Sequence, residues 1–179
     1  MLISSLVSLV HSNNYLNLKI LITGGNSSTA LKLLKAFKDD EVILADYGDV
    51  PSFSSPKYQF KTLGIKNEDT IAHTLLNNCL DESVDVILPL HNFEIEAVAK
   101  AEILFNEFNI EVLLPKTDDL HQYLNGSKTD EWVVFKNGEV IFITNADESI
   151  IAYGNAKQLN GVFYFNGDDE NLVLNLITI

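Results

Sequence analysis

The chain is short of cysteine, of positive charge and of long apolar runs, and each shortage removes a class of protein. A single cysteine among 179 residues, Cys79, leaves no internal disulfide to form and fits a reducing compartment. Basic side chains number 12 against 25 acidic ones, a formal net charge of -13. That balance speaks against nucleic-acid and membrane partners, whose anionic surfaces attract basic faces, and suits a cytoplasmic protein. No apolar stretch approaches the ~20 residues that cross a bilayer. The first ten residues are apolar, but they lack the basic start and small-residue cleavage site of a secretion signal. Two readings of the N-terminal leader, residues 1–17, stay open. It is a flexible leader, or it is an amphipathic segment whose Leu2, Leu6, Leu9 and Val10 share a helical face that packs on the domain or on a second copy.

What is present is an ordinary globular composition, 46% hydrophobic and 21% charged, sufficient for one domain with a substantial core. The chain is organised around Lys19-Ile20-Leu21-Ile22-Thr23-Gly24-Gly25-Asn26-Ser27. An apolar run ends in two glycines and helix-capping residues, and Ala30, Leu33, Leu34 and Phe37 follow at helical spacing. This is a buried strand, a tight turn and a helix start, the opening unit of a doubly wound α/β domain. A second apolar run, Glu41 to Asp46, ends in a carboxylate about 20 residues past the turn.

The same alternation continues to residue 117. Tyr58 to Leu63 alternates as an edge strand, and Asn67 caps a helix carrying Ile71, Leu75, Leu76 and Leu80. Val84 to Leu90 is a fourth strand, Phe93 to Phe108 one helix with Ala97, Ala101, Leu104, Phe105 and Phe108 on its buried stripe, and Ile110 to Pro115 a fifth strand. Strands alternating with helices predict a parallel five-stranded sheet over residues 18–117. Residues 118–130 read as a connecting helix and linker. Residues 131–179 read as a small antiparallel β extension, opened by the hairpin signal Asn137-Gly138, with Ile150 to Tyr153 as a further strand candidate.

Three blocks carry a family resemblance: KILITGGNSSTALKLLKAF with EVILAD over Lys19 to Asp46, Val86 to Ala97 with its Pro89, and Ile110 to Pro115 followed by Leu120 and Asn125-Gly126-Ser127-Lys128. Together they resemble the Rossmann-like N-terminal (pre-ATP-grasp) domain of ATP-grasp proteins similar to the carbamoyl-phosphate synthase large subunit, over roughly residues 18 to 128. The resemblance implies a ligase-related scaffold whose nucleotide is gripped by a later module. About 50 residues follow Lys128, fewer than such a module occupies. ATP or another nucleotide is therefore expected only with a separate module, and no cofactor is assigned to this chain. Asp168-Asp169-Glu170 reads as a solvated turn, so no metal site is expected.

In a doubly wound sheet ligands sit beyond the carboxyl ends of the strands, where the winding reverses. That gathers Gly24, Gly25, Asn26 and Ser27 after strand one, Asp46 after strand two, and His91, Asn92 and Glu94 after strand four. The functional reading is a seat for a small anion, with His91 as the one candidate acid or base. The structural reading is a turn, two helix caps and a helix-favouring carboxylate. An NAD-type oxidoreductase is the alternative, resting on Gly24, Gly25 and Asp46; the G-x-G-x-x-G fingerprint is absent, because position 26 is Asn. No P-loop, zinc-ligand spacing or Ser-His-Asp order occurs. The leading expectation is a non-catalytic or partner-dependent domain that binds a small anionic ligand beside a separate ATP-grasp ligase. A structural protein that forms a homodimer through its apolar extension is the third reading.

Overall fold

The computed structural model describes residues 17–124, 126–166 and 171–179; the readings made for residues 1–16, Asn125 and the 167–170 turn lie outside these. Five parallel strands form one sheet in the order β3-β2-β1-β4-β5. They are β1 (Lys19–Thr23), β2 (Glu41–Asp46), β3 (Tyr58–Thr62), β4 (Val86–Leu88) and β5 (Glu111–Val112). Central β1 registers Thr23 against Ala45 and Ile22 against Leu88. Right-handed crossovers send α1 (Ser28–Leu33) to one face of this sheet. Because the strand order reverses at β1/β4, α2 (Ile71–Asp81), α3 (Asn92–Lys100) and α4 (Glu102–Glu107) go to the other. Strand side chains divide accordingly: Leu21, Ile43 and Ile87 pack with α2 to α4, and Ile20, Ile22, Leu44 and Leu88 face the α1 side.

The remaining chain builds a four-stranded antiparallel sheet in the order β7-β6-β8-β9. Its strands are β6 (Trp132–Lys136), β7 (Glu139–Ile143), β8 (Gly161–Asn166) and β9 (Val173–Leu176). Asn137 and Gly138 both take positive φ, 51° and 79°, as a two-residue hairpin turn requires. The hairpin tip meets the parallel sheet at β5, where Lys136 pairs with Glu111 at 3.0 Å. At the far end Ile179 N–H donates to the Leu90 carbonyl just past β4. The second sheet thus lies along β4 and β5 on the α1 side. Trp132, Val134, Val162, Tyr164 and Ile177 join the α1-side core, and Lys32 of α1 sits over the Trp132 and Tyr164 rings. The opposite face, with Val133, Phe135 and Phe163, is covered by α5 (Glu148–Lys157) and the 120–123 turn. Among the described residues β6 and β8 are thus covered on both faces within one chain, while Val173 and Ile151 remain exposed.

Three expectations need correction. Ile150 to Tyr153 lies in α5, not in a strand: Asp147 accepts from the N–H groups of Ser149 and Ile150, and this cap outweighs a run of four apolar residues. Gly154 lets the helix press on β6, since a β-carbon there would stand 1.9 Å from Cε1 of Phe135. The single helix from Phe93 to Phe108 is two, broken at Ala101, whose N–H donates to both Ala97 and Val98 carbonyls. The break resets the apolar phase, burying Ile95, Val98, Ala99 and Phe105 and leaving Phe108 48% exposed. In α2 the buried stripe runs through Cys79, and Leu80 is exposed.

Because the two sheets bury each other, residues 18–117 and 131–179 should unfold together. Trp132 fluorescence, reporting the extension, and far-ultraviolet circular dichroism, dominated by the helices, are expected to give superimposable urea transitions. Trp132→Ala is expected to lower both midpoints together, at a cost of about 3–5 kcal/mol.

Candidate functional site

The bend after β1 is built from residues that only this geometry requires. Gly24 has φ +66°, and a β-carbon there would lie 2.2 Å from Cδ1 of Ile179. Gly25 runs so close to β2 that a β-carbon would stand 2.6 Å from the Leu44 carbonyl carbon. Ser27 caps α1, its hydroxyl accepting from Ala30 N–H at 3.1 Å.

The N–H groups of the bend are engaged inside the protein. Gly25 donates to the Ala45 carbonyl, Asn26 to Asp46 Oδ2 at 3.0 Å and Ser27 to the Gly24 carbonyl. Asp46 also accepts from Tyr47 N–H at 2.9 Å and meets His91 Nε2 at 3.0 Å. Its carboxylate thus takes the place that an external anion would fill at the bend, and the Ile179 side chain packs over Gly24. Asn26 is otherwise exposed, its side chain donating to the Asp49 carbonyl at 3.2 Å.

Beneath the His91–Asp46 pair lies Glu94, fully buried in the first turn of α3. The Thr23 hydroxyl donates to its Oε2 and itself accepts from Leu90 N–H at 2.7 Å. Glu94 Oε1 and the Tyr47 hydroxyl are buried neighbours, yet neither has a hydrogen-bond partner of acceptable geometry. Burial pushes the Glu94 carboxyl up, more than Thr23 and His91 pull it down. Burial, and then the adjacent Glu94, push the Tyr47 hydroxyl far above the ordinary phenol range. Phe93 stacks on His91 at 4.8 Å, and Lys66 Nζ stands 3.9 Å over the Phe93 ring.

Of the residues picked out from sequence, Gly24, Asp46, His91 and Glu94 come together, and Gly25 and Asn26 buttress them from β2 and the loop. Ser27 stands apart as a helix cap. Asn92 turns toward a separate cleft, its N–H donating to the Ile179 carbonyl at 3.1 Å. That cleft, of about 400 Å³, is lined by Asn92, Ile95, Lys128, Tyr164, Asn175 and Thr178 among others. Thr23, Tyr47, Phe93 and the cleft residues from β9 were not anticipated. Only Thr23, a hydroxyl ending an otherwise apolar strand, left a local signal. Cys79 is fully buried and its thiol is pushed up to about 12, a packing residue rather than a nucleophile. Among the described residues no cluster of His, Cys, Asp and Glu could hold a metal ion, and no helix is long and apolar enough to cross a membrane.

No protein-family model and no curated protein matches the chain. Solved structures do. A biotin carboxylase from Campylobacter jejuni, in complex with β,γ-ATP by its title, aligns with 90% of this chain and 65% of its own, at 12% identity and TM-score 0.51. The urea carboxylase of Kluyveromyces lactis aligns with 90% of this chain and 19% of its own, at 15% identity and TM-score 0.50. The chain therefore spans less than two thirds of either structure. At these identities the likeness is one of fold alone.

Glu94 sets a testable pH dependence. Its folded-state pKa is raised, so its stabilising contribution is complete below the unfolded carboxyl value and is lost as pH rises through the folded one. Glu94→Gln, which keeps an acceptor for Thr23 and carries no charge, is expected to flatten the stability profile above pH 5 and to raise the melting temperature at pH 8. A variant with the wild-type slope would show that Glu94 is not the titrating group.

Proposed function

We propose that this chain is a pre-ATP-grasp-like module, non-catalytic or partner-dependent, that binds a small anionic ligand beside the carboxyl ends of β1 and β4 in the service of a separate ATP-grasp ligase. The cleft at Asn92 is the observation that supports this reading. Its volume of about 400 Å³ suits a small molecule, and its walls come from α3, from Leu124, Gly126 and Lys128, and from the antiparallel sheet. Ile95, Leu124 and Leu176 give it an apolar floor, while Asn92, Asn175 and Thr178 offer hydrogen bonds. Lys128 supplies the positive charge, while Glu96, the one carboxylate in the lining, is paired with Lys100 at 2.6 Å. All 12 basic residues of the chain are lysines, and among the described residues Lys128 has no carboxylate within ion-pair distance. Lys128 also ends the third block of the ATP-grasp resemblance. The Gly24 bend, with its donors engaged internally, is the floor beside this cleft rather than the seat itself.

A nicotinamide cofactor is less well served. The ribose carboxylate of such a site must be free, and both oxygens of Asp46 already accept hydrogen bonds. The experiment is a thermal-shift panel of ATP, NAD(H), inorganic phosphate and small carboxylic acids on the intact chain. One phosphate- or carboxylate-bearing compound is expected to stabilise the fold, by about 2.7 kcal/mol at a hundred times its dissociation constant. Lys128→Ala is expected to abolish that shift. No shift with any compound, or ATP hydrolysis by the chain alone, overturns the proposal; NAD binding that Asp46→Ala removes would favour the oxidoreductase.

A further inference from the structure

The outer margin of β5 is a sheet edge guarded only by its shortness. Proteins protect such edges, because unpaired N–H and C=O groups there will pair with another strand. The segment before β3 folds back on it through a Ser54–Gln59 bridge, a bulge interrupts β7 opposite Val134 and Phe135, and residues 126–127 lie against Asn175 of β9. On β5 the inward groups are engaged: Glu111 N–H donates to the Asp85 carbonyl and Leu113 N–H to the Ile87 carbonyl, both at 2.9 Å. Alternate residues of a parallel strand turn to opposite sides, so the N–H and C=O of Val112 point away from β4. Among the described residues neither group has a partner on that side.

This edge opens into a cleft of about 420 Å³ between α4, Asn109, the Asn137 hairpin tip and Asn160. Val112 lines the cleft although its side chain is buried in the core under α2 to α4, so what it presents there is main chain. The rest of the lining is amide and carboxylate. Asn137 donates from Nδ2 to Glu111 Oε1 at 3.2 Å, and its N–H donates to Asn160 Oδ1, which fixes that wall. On the α4 side the Glu102, Asn106 and Asn109 side chains have no partner among the described residues. No lysine and no aromatic ring is among the described lining residues, so an anion or a nucleobase finds no matching group. Glu111 already meets Lys136 at 3.0 Å, and the described residues hold no metal-binding cluster. A peptide does match: its main chain carries a donor and an acceptor spaced as those of Val112 are, and each asparagine amide can pair with a peptide group through one donor and one acceptor.

We infer that the β5 edge is a peptide-binding site: a short extended segment of a basic partner protein lies beside β5, exchanges main-chain hydrogen bonds with Val112, and sets a lysine or arginine side chain against the unpaired Glu102 carboxylate. The formal net charge of -13 favours such a partner over a second copy of this chain. A strand of only two residues pairs with few others, and the free amides of Asn106 and Asn109 supply further bonds to the segment. This inference is independent of the ligand reading, because the Asn92 cleft lies past the carboxyl end of β4, whereas this cleft starts at the first residue of β5.

The probe is a pentapeptide of alternating valine and lysine, capped at both ends and titrated into the intact ¹⁵N-enriched chain. The amide NMR signals of Asn109, Val112 and Asn137 are expected to shift, and hydrogen exchange at the Val112 amide to slow about tenfold at saturation. The same peptide methylated on every backbone nitrogen keeps its charge but cannot donate, and is expected to leave these signals in place. Glu102→Lys is expected to weaken binding of the unmethylated peptide about tenfold. Signals that do not move, shifts without slower exchange at Val112, or undiminished binding by the methylated peptide or by Glu102→Lys overturn the inference. So does protection of Val112 that rises with protein concentration in the absence of peptide, which would make a second copy the occupant.

Discussion

The fold depends on covering one face of a parallel sheet. Such a sheet is apolar on both sides, and each large side chain left in water forgoes about 1.5–3 kcal/mol. On one face α2, α3 and α4 do the covering. On the other, α1 and the 3-10 turn that continues it to Phe37 belong to the β1–β2 crossover and leave β4 and β5 to another layer. The antiparallel sheet takes that half, which explains why β6 and β8 are buried on both faces although antiparallel strands commonly leave one face to solvent. The extension is thus the second layer of the α/β domain rather than an appendage to it.

The same covering fixes what the strand ends can do. For the extension to follow β4 to its carboxyl end, the backbone of Ile179 must bond to Leu90 and Asn92. That brings the Ile179 side chain over Gly24 and holds Thr178, Leu176 and Asn175 opposite the start of α3. One contact therefore closes the glycine bend and opens the cleft beside it. A doubly wound sheet usually presents its first turn to a ligand; here that turn faces protein, and the accessible space lies one strand further along.

The sequence revealed most of the architecture and less of the site, for physical reasons. Strands buried on both faces announce themselves as runs such as Ile20-Leu21-Ile22, and Asn137-Gly138 announces a hairpin, because both signals are local. The break at Ala101 is not local: alanine favours helix continuation, and the turn forms where packing on the sheet requires a new phase. At Ile150 the apolar run suggested a strand, while the decisive signal was the Asp147 cap just before it. At the site, Asp46, His91 and Glu94 were legible because winding topology places strand ends together. Lys128 and Asn175 were not, since their convergence depends on how the second sheet docks, a matter of packing between segments far apart in the chain; Tyr47 was not, since an aromatic residue after a strand carries no local sign that it will meet His91 and Phe93.

The two carboxyl groups at the switch point show how environment divides roles between like residues. Asp46 accepts from two backbone N–H groups and meets an imidazole nitrogen, and part of its surface reaches solvent. Glu94 sits deeper, with the Thr23 hydroxyl as its one short donor and an oxygen facing Tyr47 unpaired. Burial without matching donors holds Glu94 toward its neutral form. His91 lies between them, its backbone N–H directed to Glu94 Oε2 at 3.4 Å and its Nε2 3.0 Å from Asp46 Oδ1. Two carboxyl groups at one switch point thus meet different surroundings: backbone donors match the outer one, and burial dominates at the inner one.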